Sequence, residues 1–211
     1  GGMLGLLLGA GQAILRTTLD TRIRTSGDLE EVTDAPVLAS IGHVETTSQR
    51  AAGQDGKGQW SNAEAYRRLR TNVGVVGLGG ERRSSMVVTS SVAGEGKTET
   101  VINLARVLAH AGDSVLLVDA DLRRPQVAAR MNLDGDLGLS DVLTGRATLQ
   151  ELTIDVAPGF LSVLPAGAVP PNPSELLGSR AMAQLIESAE RRYDYVLFDS
   201  PPLLPVTDAV V

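Results

Sequence analysis

The sequence predicts an α/β domain in which a mostly parallel, Rossmann-like sheet is flanked by helices. Three short apolar runs, rich in valine and leucine, stand far apart in the chain and have the length of buried strands. The first run leads through a glycine-containing loop into a helical pattern, and the second and third each end at an aspartate. In such sheets, ligands bind beyond the carboxyl ends of the strands, so the loop and both acids are expected at one edge.

The first run and its loop read M-V-V-T-S-S-V-A-G-E-G-K-T over Met86–Thr98. Glycines allow backbone N–H groups to turn inward around an anion, and the helix that follows adds its positive N-terminus. Lys97 is then expected to reach the β and γ phosphates of a nucleotide, and the Thr98 hydroxyl to hold Mg²⁺. The strict pattern G-x-x-x-x-G-K-[ST] fails at Ser91, so a plain strand-to-helix turn remains an alternative.

The second run, Ser114–Val118, delivers the sequence D-A-D-L-R, with Asp119 and Asp121 at its end. Both acids would face the same crevice as Lys97. Carboxylates beside a triphosphate need a cation between them, and Mg²⁺ is the natural one. The alternative is a solvated turn that closes the strand.

The third run leads from Tyr193 to Phe198 and ends at Asp199, which begins the sequence D-S-P-P. A carboxylate at this strand tip can reach Mg²⁺ or its water ligands. Many strands end at aspartate, so this signal is weak alone. After a G-K-T loop and a D-x-D strand, in that order, it favours a fold of the phosphate-loop (P-loop) NTPase type.

The remaining elements are predicted to be structural. Gly138–Leu143 is predicted as a short helix and Phe160–Leu164 as a strand. Asn172, followed by Pro173, is predicted to begin a helix that runs to about Arg191.

Upstream, Ser61 and Glu64 fit a capping box at the start of a helix. Glu64 has the spacing of intrahelical ion pairs with Arg67 and Arg68. A solvated helix is one interpretation. The other is a contact between subunits through these charges.

The N-terminal run over 1–15 has Gln12 as its only polar residue. It is shorter than the roughly 20 apolar residues of a full span, so it is interpreted as the end of a transmembrane helix, with a buried core helix as the alternative. Arg16, Arg22 and Arg24 follow directly, which predicts a cytoplasmic location for the rest. The predicted divisions are this helix end, a juxtamembrane segment over 16–42, a flexible linker over 43–60 and a C-terminally incomplete catalytic domain over 61–211.

Composition narrows the possible functions. The net charge is −6 and the pI about 5.0, so nothing predicts binding to nucleic acid. The chain has no cysteine, which excludes disulfides, thiolate metal sites and a cysteine nucleophile.

With these residues in view, the chain resembles the bacterial tyrosine kinases of capsule and exopolysaccharide synthesis, the BY-kinases. Their loop pattern, S/A/G-x-x-x-x-G-K-[ST], accommodates Ser91, and their D-x-D-x-R and D-x-x-P elements match Asp119–Arg123 and Asp199–Pro202. The E-x-x-R-x-x-R sequence over Glu64–Arg70 is similar to their ring-forming motif, and N-P-S-E-L-L over Asn172–Leu177 to a further hallmark. The N-terminal residues resemble the last transmembrane helix of a chain-length-determinant (Wzz-type) module.

The resemblance implies an ATP-dependent and Mg²⁺-dependent protein-tyrosine kinase at the inner membrane, with its kinase domain on the cytoplasmic side. It implies autophosphorylation within a ring formed through Glu64, Arg67 and Arg70, and control of polysaccharide polymerisation and export proteins. Asp119 or Asp121 would orient or deprotonate the tyrosine, and the metal candidates are Thr98, Asp119, Asp121 and Asp199. The residues expected at the nucleotide are Ser91, Gly94, Glu95, Gly96, Lys97, Thr98, Glu99 and Arg123.

Some features depart from the family pattern. Ala93 stands where proline is common, and the tyrosine-rich tail is not in this sequence, whose tyrosines are Tyr66, Tyr193 and Tyr195. One rival interpretation is an ATPase of the partition or septum-positioning type, but those enzymes carry a lysine where this chain has Val92. The other rival is a nucleotide-binding scaffold without transfer activity.

Overall fold

Alternating strands and helices dominate the computed structural model, which describes residues 33, 35–42, 57–76 and 84–204, together with positions 2, 12 and 27. The chain divides into two units, Gly1–Ser40 and Ile41–Val211. In the first unit, residues 36–40 form neither helix nor strand.

The predicted membrane-helix end lies outside the described residues apart from positions 2 and 12, and so does the part of the predicted linker over 43–56. Among the residues that are described, no helix combines the length and the apolar character needed to cross a membrane.

The second unit holds a five-stranded sheet in the order β1-β5-β2-β4-β3, parallel throughout except for β3, which pairs antiparallel with β4. This confirms the predicted α/β class. The described elements are α1 (Lys57–Val76), β1 (Ser84–Val88), α2 (Lys97–His110), β2 (Val115–Asp119), α3 (Val127–Met131), α4 (Leu139–Leu143), α5 (Leu149–Leu152), β3 (Ile154–Ala157), β4 (Leu161–Leu164), α6 (Pro173–Leu177), α7 (Arg180–Glu190) and β5 (Tyr195–Asp199).

The central strands are covered on both faces, which explains their unbroken apolar sequences. Every residue of β2 is buried. Because side chains alternate along a strand, Leu116 and Val118 point to one face and Val115 and Leu117 to the other. The first pair joins an apolar cluster with Phe198 of β5.

Helices cover the two faces. Helix α2 buries the stripe of Val101, Leu104 and Leu108 and packs on β1, β2 and β5, while α1 packs on α2. On the opposite face, α7 and α4 contribute to the apolar cluster that contains Phe198. The cluster residues from these two helices are Met182, Leu185, Ala189, Leu139 and Leu143.

Two helix predictions were wrong. Helix α1 begins at Lys57, so Ser61 lies inside the helix and not at its N-terminus, and residues 57–60 of the predicted linker are helical. An N-cap side chain contributes only about 1 kcal/mol, which a continuing helix can outweigh.

The predicted helix from Asn172 to Arg191 is two helices, because the chain breaks at Gly178. Ser179 then caps α7, where its Oγ accepts a 3.3 Å hydrogen bond from Met182 N.

Candidate active site

The loop between β1 and α2 has the backbone of a phosphate loop. Gly94 and Gly96 have φ angles of +89° and +85°, a left-handed region that side chains with a Cβ rarely adopt. No heavy atom lies within 4 Å of a Cβ built at either glycine, so the backbone angle, not the space, requires glycine there. Lys97 begins α2 immediately afterwards, as the sequence predicts.

Lys97 bridges two carboxylates from different strands. Its Nζ lies 3.1 Å from Oδ1 of Asp199 and 3.3 Å from Oδ2 of Asp121. The Lys97 side chain is only 12% exposed, and the Asp199 side chain is fully buried. The structure therefore brings a cation and two acids together at the carboxyl ends of β2 and β5.

Thr98 belongs to the same cluster. Its buried hydroxyl donates a 2.7 Å hydrogen bond to Oδ2 of Asp199 and lies 3.4 Å from Lys97 Nζ. The Thr98 hydroxyl and the Asp199 carboxylate are the kinds of oxygen that Mg²⁺ accepts. The ammonium group beside Asp121 and Asp199 indicates that this pocket already suits a cation, so the residues present fit the metal.

Asp119 has different surroundings. It is fully buried, and its carboxylate accepts hydrogen bonds from the backbone N–H groups of Asp121 at 3.2 Å, Gln126 at 3.0 Å and Val127 at 2.9 Å. Burial, with the nearby Asp199 charge, raises the pKa of Asp119 to about 7, although these backbone hydrogen bonds oppose the rise. Oδ2 thus holds the start of α3, and Oδ1 holds the segment directly after β2.

Asp121 is also buried, but among the described residues only one of its oxygens accepts a backbone hydrogen bond. Its Oδ1 accepts a 3.0 Å hydrogen bond from Arg124 N, and its Oδ2 faces Lys97. Of the two acids in the D-x-D sequence, Asp121 is therefore the one that touches the lysine.

Pairing of β2 with β5 fixes the position of the third acid. Asp119 and Asp199 are direct partners in the parallel register, and Ala120 N donates a 2.8 Å hydrogen bond to Asp199 O. Burial raises the pKa of Asp199, while the Thr98 hydroxyl and the Lys97 charge partly offset that rise.

No group of three or more His, Cys, Asp or Glu side chains within the described part of the chain is arranged to hold a metal ion by itself. This agrees with the general behaviour of Mg²⁺ at nucleotide sites, where one or two carboxylates act together with substrate phosphates.

A family model described as "AAA domain" matches residues 85–210, well over half of the 211-residue chain. The chain belongs to the AAA domain family. The match spans all three elements described above, from the second residue of β1 to the segment after β5.

Curated relatives of this AAA domain protein are named as tyrosine-protein kinases. Tyrosine-protein kinase YwqD of Bacillus subtilis is 42% identical over 150 residues, which cover 71% of this chain and 63% of the relative. Tyrosine-protein kinase ptk of Acinetobacter johnsonii is 32% identical over the whole chain, which covers 30% of the relative. The chain thus spans less than two thirds of the length of these relatives.

Solved structures agree with the fold. The kinase domain of Escherichia coli tyrosine kinase ETK superimposes with a TM-score of 0.78 at 33% identity, covering 88% of this chain and 75% of that one. The cell division ATPase MinD of Pyrococcus furiosus superimposes less well, with a TM-score of 0.51 at 31% identity over 60% of this chain and 53% of that one. The predicted P-loop NTPase-type fold is confirmed.

Several predicted site residues of the AAA domain lie outside the lysine cluster. Glu99 forms a 3.5 Å ion pair with Arg130, and Arg123 donates a 3.0 Å hydrogen bond to Ser174 Oγ at the start of α6. The Glu95 carboxylate folds back onto its own loop, where it accepts a hydrogen bond from Ser91 N.

The sequence did not reveal how the segment after β5 supports the loop. Leu203 N and Leu204 N donate hydrogen bonds of 2.9 and 3.2 Å to the carbonyl oxygens of Ser90 and Ser91. The available signal was the pair Pro201-Pro202, which favours an extended chain after Asp199.

Proposed function

We propose that this chain carries the catalytic centre of an ATP-dependent protein-tyrosine kinase. The observation that supports the proposal best is the meeting of Lys97, Asp121 and Asp199 beside a glycine-shaped phosphate loop. The names of the two curated relatives and of the ETK kinase domain, all tyrosine kinases, support the reaction class.

In this proposal the loop holds the triphosphate of ATP through its backbone N–H groups and the N-terminus of α2. Lys97 moves its ammonium from the carboxylates to the phosphates and offsets the charge that develops during transfer. Thr98 and Asp199 would hold Mg²⁺, which when bound neutralises phosphate charge. We assign no such role to Asp119, whose oxygens are occupied by backbone N–H groups.

We assign the proton transfer to Asp121. The tyrosine oxygen forms a bond to the γ phosphorus, the bond from that phosphorus to the β–γ bridging oxygen breaks, and ADP leaves. The phenolic proton passes to the Asp121 carboxylate, whose Oδ2 loses its contact with the ammonium once Lys97 has moved to the phosphates, while Arg124 N still holds Oδ1.

The acceptor is proposed to be a tyrosine of another molecule or of another part of the full protein. Tyr66 is 7% exposed and buried in the core, while Tyr193, just before β5, and Tyr195, the first residue of β5, are half-buried. A hydroxyl must approach the γ phosphate in line with the leaving oxygen, and side chains anchored in this way are poor candidates.

The cellular setting is also a proposal. Charges on α1 would join subunits into a ring, from the exposed Glu64 and Arg67 and the half-buried Arg70. The N-terminal residues would anchor the protein at the inner membrane, with the kinase on the cytoplasmic side. One relative is named a putative tyrosine-protein kinase in the cps region of Klebsiella pneumoniae, which supports a role in controlling polysaccharide polymerisation and export proteins.

The test uses the natural full-length protein with ATP and Mg²⁺, followed by mass spectrometry for phosphotyrosine. We expect phosphotyrosine in the wild type and none in Lys97→Met, because methionine keeps the side-chain length without the charge. ATP hydrolysis without phosphotyrosine would instead favour the ATPase interpretation. Nucleotide binding with neither activity would favour the scaffold.

A further inference from the structure

The Glu95 side chain closes a ring of hydrogen bonds within the phosphate loop. Its Oε2 accepts a 2.8 Å hydrogen bond from Ser91 N and a 3.2 Å hydrogen bond from Val92 N. Glu95 stands between Gly94 and Gly96, whose positive φ angles turn the chain on either side of it. An acid is thus held against the first N–H groups of a loop that otherwise suits anions.

Two sets of N–H groups in this loop differ in their partners. Those of Ser91 and Val92 are satisfied by Glu95. The backbone N–H groups of Gly96, Lys97 and Thr98 hydrogen-bond to no acceptor within the part of the chain that the structure describes. The second set lies at the N-terminus of α2, where an anion is favoured. The carboxylate therefore contacts N–H groups other than those at the start of α2.

We propose that Glu95 is a positioning residue that clasps the first half of the phosphate loop and so keeps its second half in the shape that receives phosphate. The inference rests on the proposed nucleotide-binding function. A loop with two glycines has many conformations to lose on binding, and a clasp that removes them beforehand raises the affinity for nucleotide.

Two effects of Glu95 on nucleotide affinity act in opposite directions, which makes the proposal testable. The negative charge of Glu95 repels a triphosphate, so removal of charge alone tightens binding. Removal of the clasp weakens binding. Glu95→Gln removes the charge but keeps an amide oxygen that can accept both N–H groups, whereas Glu95→Ala removes both.

The experiment is calorimetric titration of the full-length protein with Mg²⁺–ADP. We expect Glu95→Ala to raise the Kd about tenfold, the equivalent of about 1.4 kcal/mol. We expect Glu95→Gln to bind at least as tightly as the wild type. The thermal midpoint without nucleotide should be the same in all three proteins, because the clasp lies on an exposed loop.

Glu151→Ala is the matched control. Glu151, on α5, is also an exposed glutamate. Its carboxylate accepts a 2.8 Å hydrogen bond from Thr148 N, three residues earlier in the chain. It should leave the Kd unchanged. The clasp would be overturned if Glu95→Ala binds as tightly as the wild type, or if Glu95→Gln binds as weakly as Glu95→Ala. A wild type that binds no nucleotide would refute the proposed function itself.

Discussion

The Thr98 hydroxyl donates a 2.7 Å hydrogen bond to Oδ2 of Asp199, and this bond joins the phosphate loop to the tip of β5 across 101 positions of sequence. Parallel pairing of β1 with β5 makes the contact possible, because Val88 and Asp199 are partners in that register. The bond places the two expected metal ligands side by side.

Two replacements of Thr98 test whether its hydroxyl group binds the metal. Thr98→Ala should lower phosphotransfer at least about tenfold and raise the Mg²⁺ concentration needed for half-maximal activity, because one metal oxygen is lost. Thr98→Ser keeps the hydroxyl and should stay close to wild type. The measurement is activity against Mg²⁺ concentration for all three proteins. If Thr98→Ala and Thr98→Ser need the same Mg²⁺ concentration for half-maximal activity, the Thr98 hydroxyl does not bind the metal.

Asp199 should destabilise the protein in the absence of metal and nucleotide. Burial raises the pKa of Asp199 above its value in the unfolded chain. Protonated Asp199 therefore contributes fully to protein stability at pH values below its pKa in the unfolded chain. This contribution is lost as the pH rises through its pKa in the folded protein. The Asp199→Asn side chain is neutral at every pH and escapes this loss.

We therefore expect Asp199→Asn to have the higher thermal midpoint at pH 8 in EDTA, with a difference from wild type that shrinks as the pH falls towards the pKa of the unfolded chain, about 4. Phosphotransfer by the variant should be lost at pH 8. Thermal unfolding at a series of pH values from 8 down to about 4 makes the comparison. A difference that stays constant or grows on acidification would contradict the assigned cause.

Asp119 should matter mainly for stability. Asp119→Ala leaves three buried N–H groups without their acceptor, which should lower the free energy of unfolding by about 2–4 kcal/mol. The pKa of about 7 predicts that wild-type stability falls as the pH rises towards neutrality, so the loss should be larger at pH 5 than at pH 8.

Urea unfolding at the two pH values, without metal or nucleotide, measures this effect. The exposed Asp136, replaced by alanine, is the control and should change the free energy by less than about 0.5 kcal/mol. If Asp119→Ala unfolds like this control, the three hydrogen bonds of Asp119 do not stabilise the segment from β2 to the start of α3.

Much of the site could be predicted from sequence because its parts are contiguous patterns. The loop, the D-x-D sequence and Asp199 each follow an apolar strand, and parallel strands bring their carboxyl ends to one edge. The sequence could not show that Asp119 and Asp121 have different roles. That difference depends on how the chain after the strand turns and presents the N–H groups of Gln126 and Val127.

The missed elements had weak local signals. Strand β3, with the sequence I-D-V-A, lies at the sheet edge and is mostly exposed, so it lacks an apolar run. The break at Gly178 was missed because one glycine inside a helical pattern costs only about 1 kcal/mol and often leaves the helix intact. The contact of Glu95 with its own loop depends on two positive φ angles that no pattern specified.

The ring proposal predicts that Glu64 acts between subunits. Within its own helix, Glu64 lies 3.2 Å from Arg67 and 3.6 Å from Arg68, with all three side chains more than half exposed. Such surface pairs contribute about 0–1 kcal/mol, so Glu64→Ala should shift the thermal midpoint of the monomer by less than about 3 °C. It should nevertheless dissociate the assembly, because the interface loses a charge that the partner subunit needs.

Sedimentation velocity on the full-length protein and the variant makes this comparison. Glu187→Ala is the matched control, because Glu187 of α7 forms a similarly exposed pair, 2.7 Å apart, with Arg191, which follows the last residue of α7. We expect the control to assemble like the wild type and Glu64→Ala to sediment as a smaller species. If both variants assemble alike, the α1 charges are a solvated surface. Each variant loses one exposed local ion pair, so only a contact with another subunit would make Glu64→Ala differ from the control.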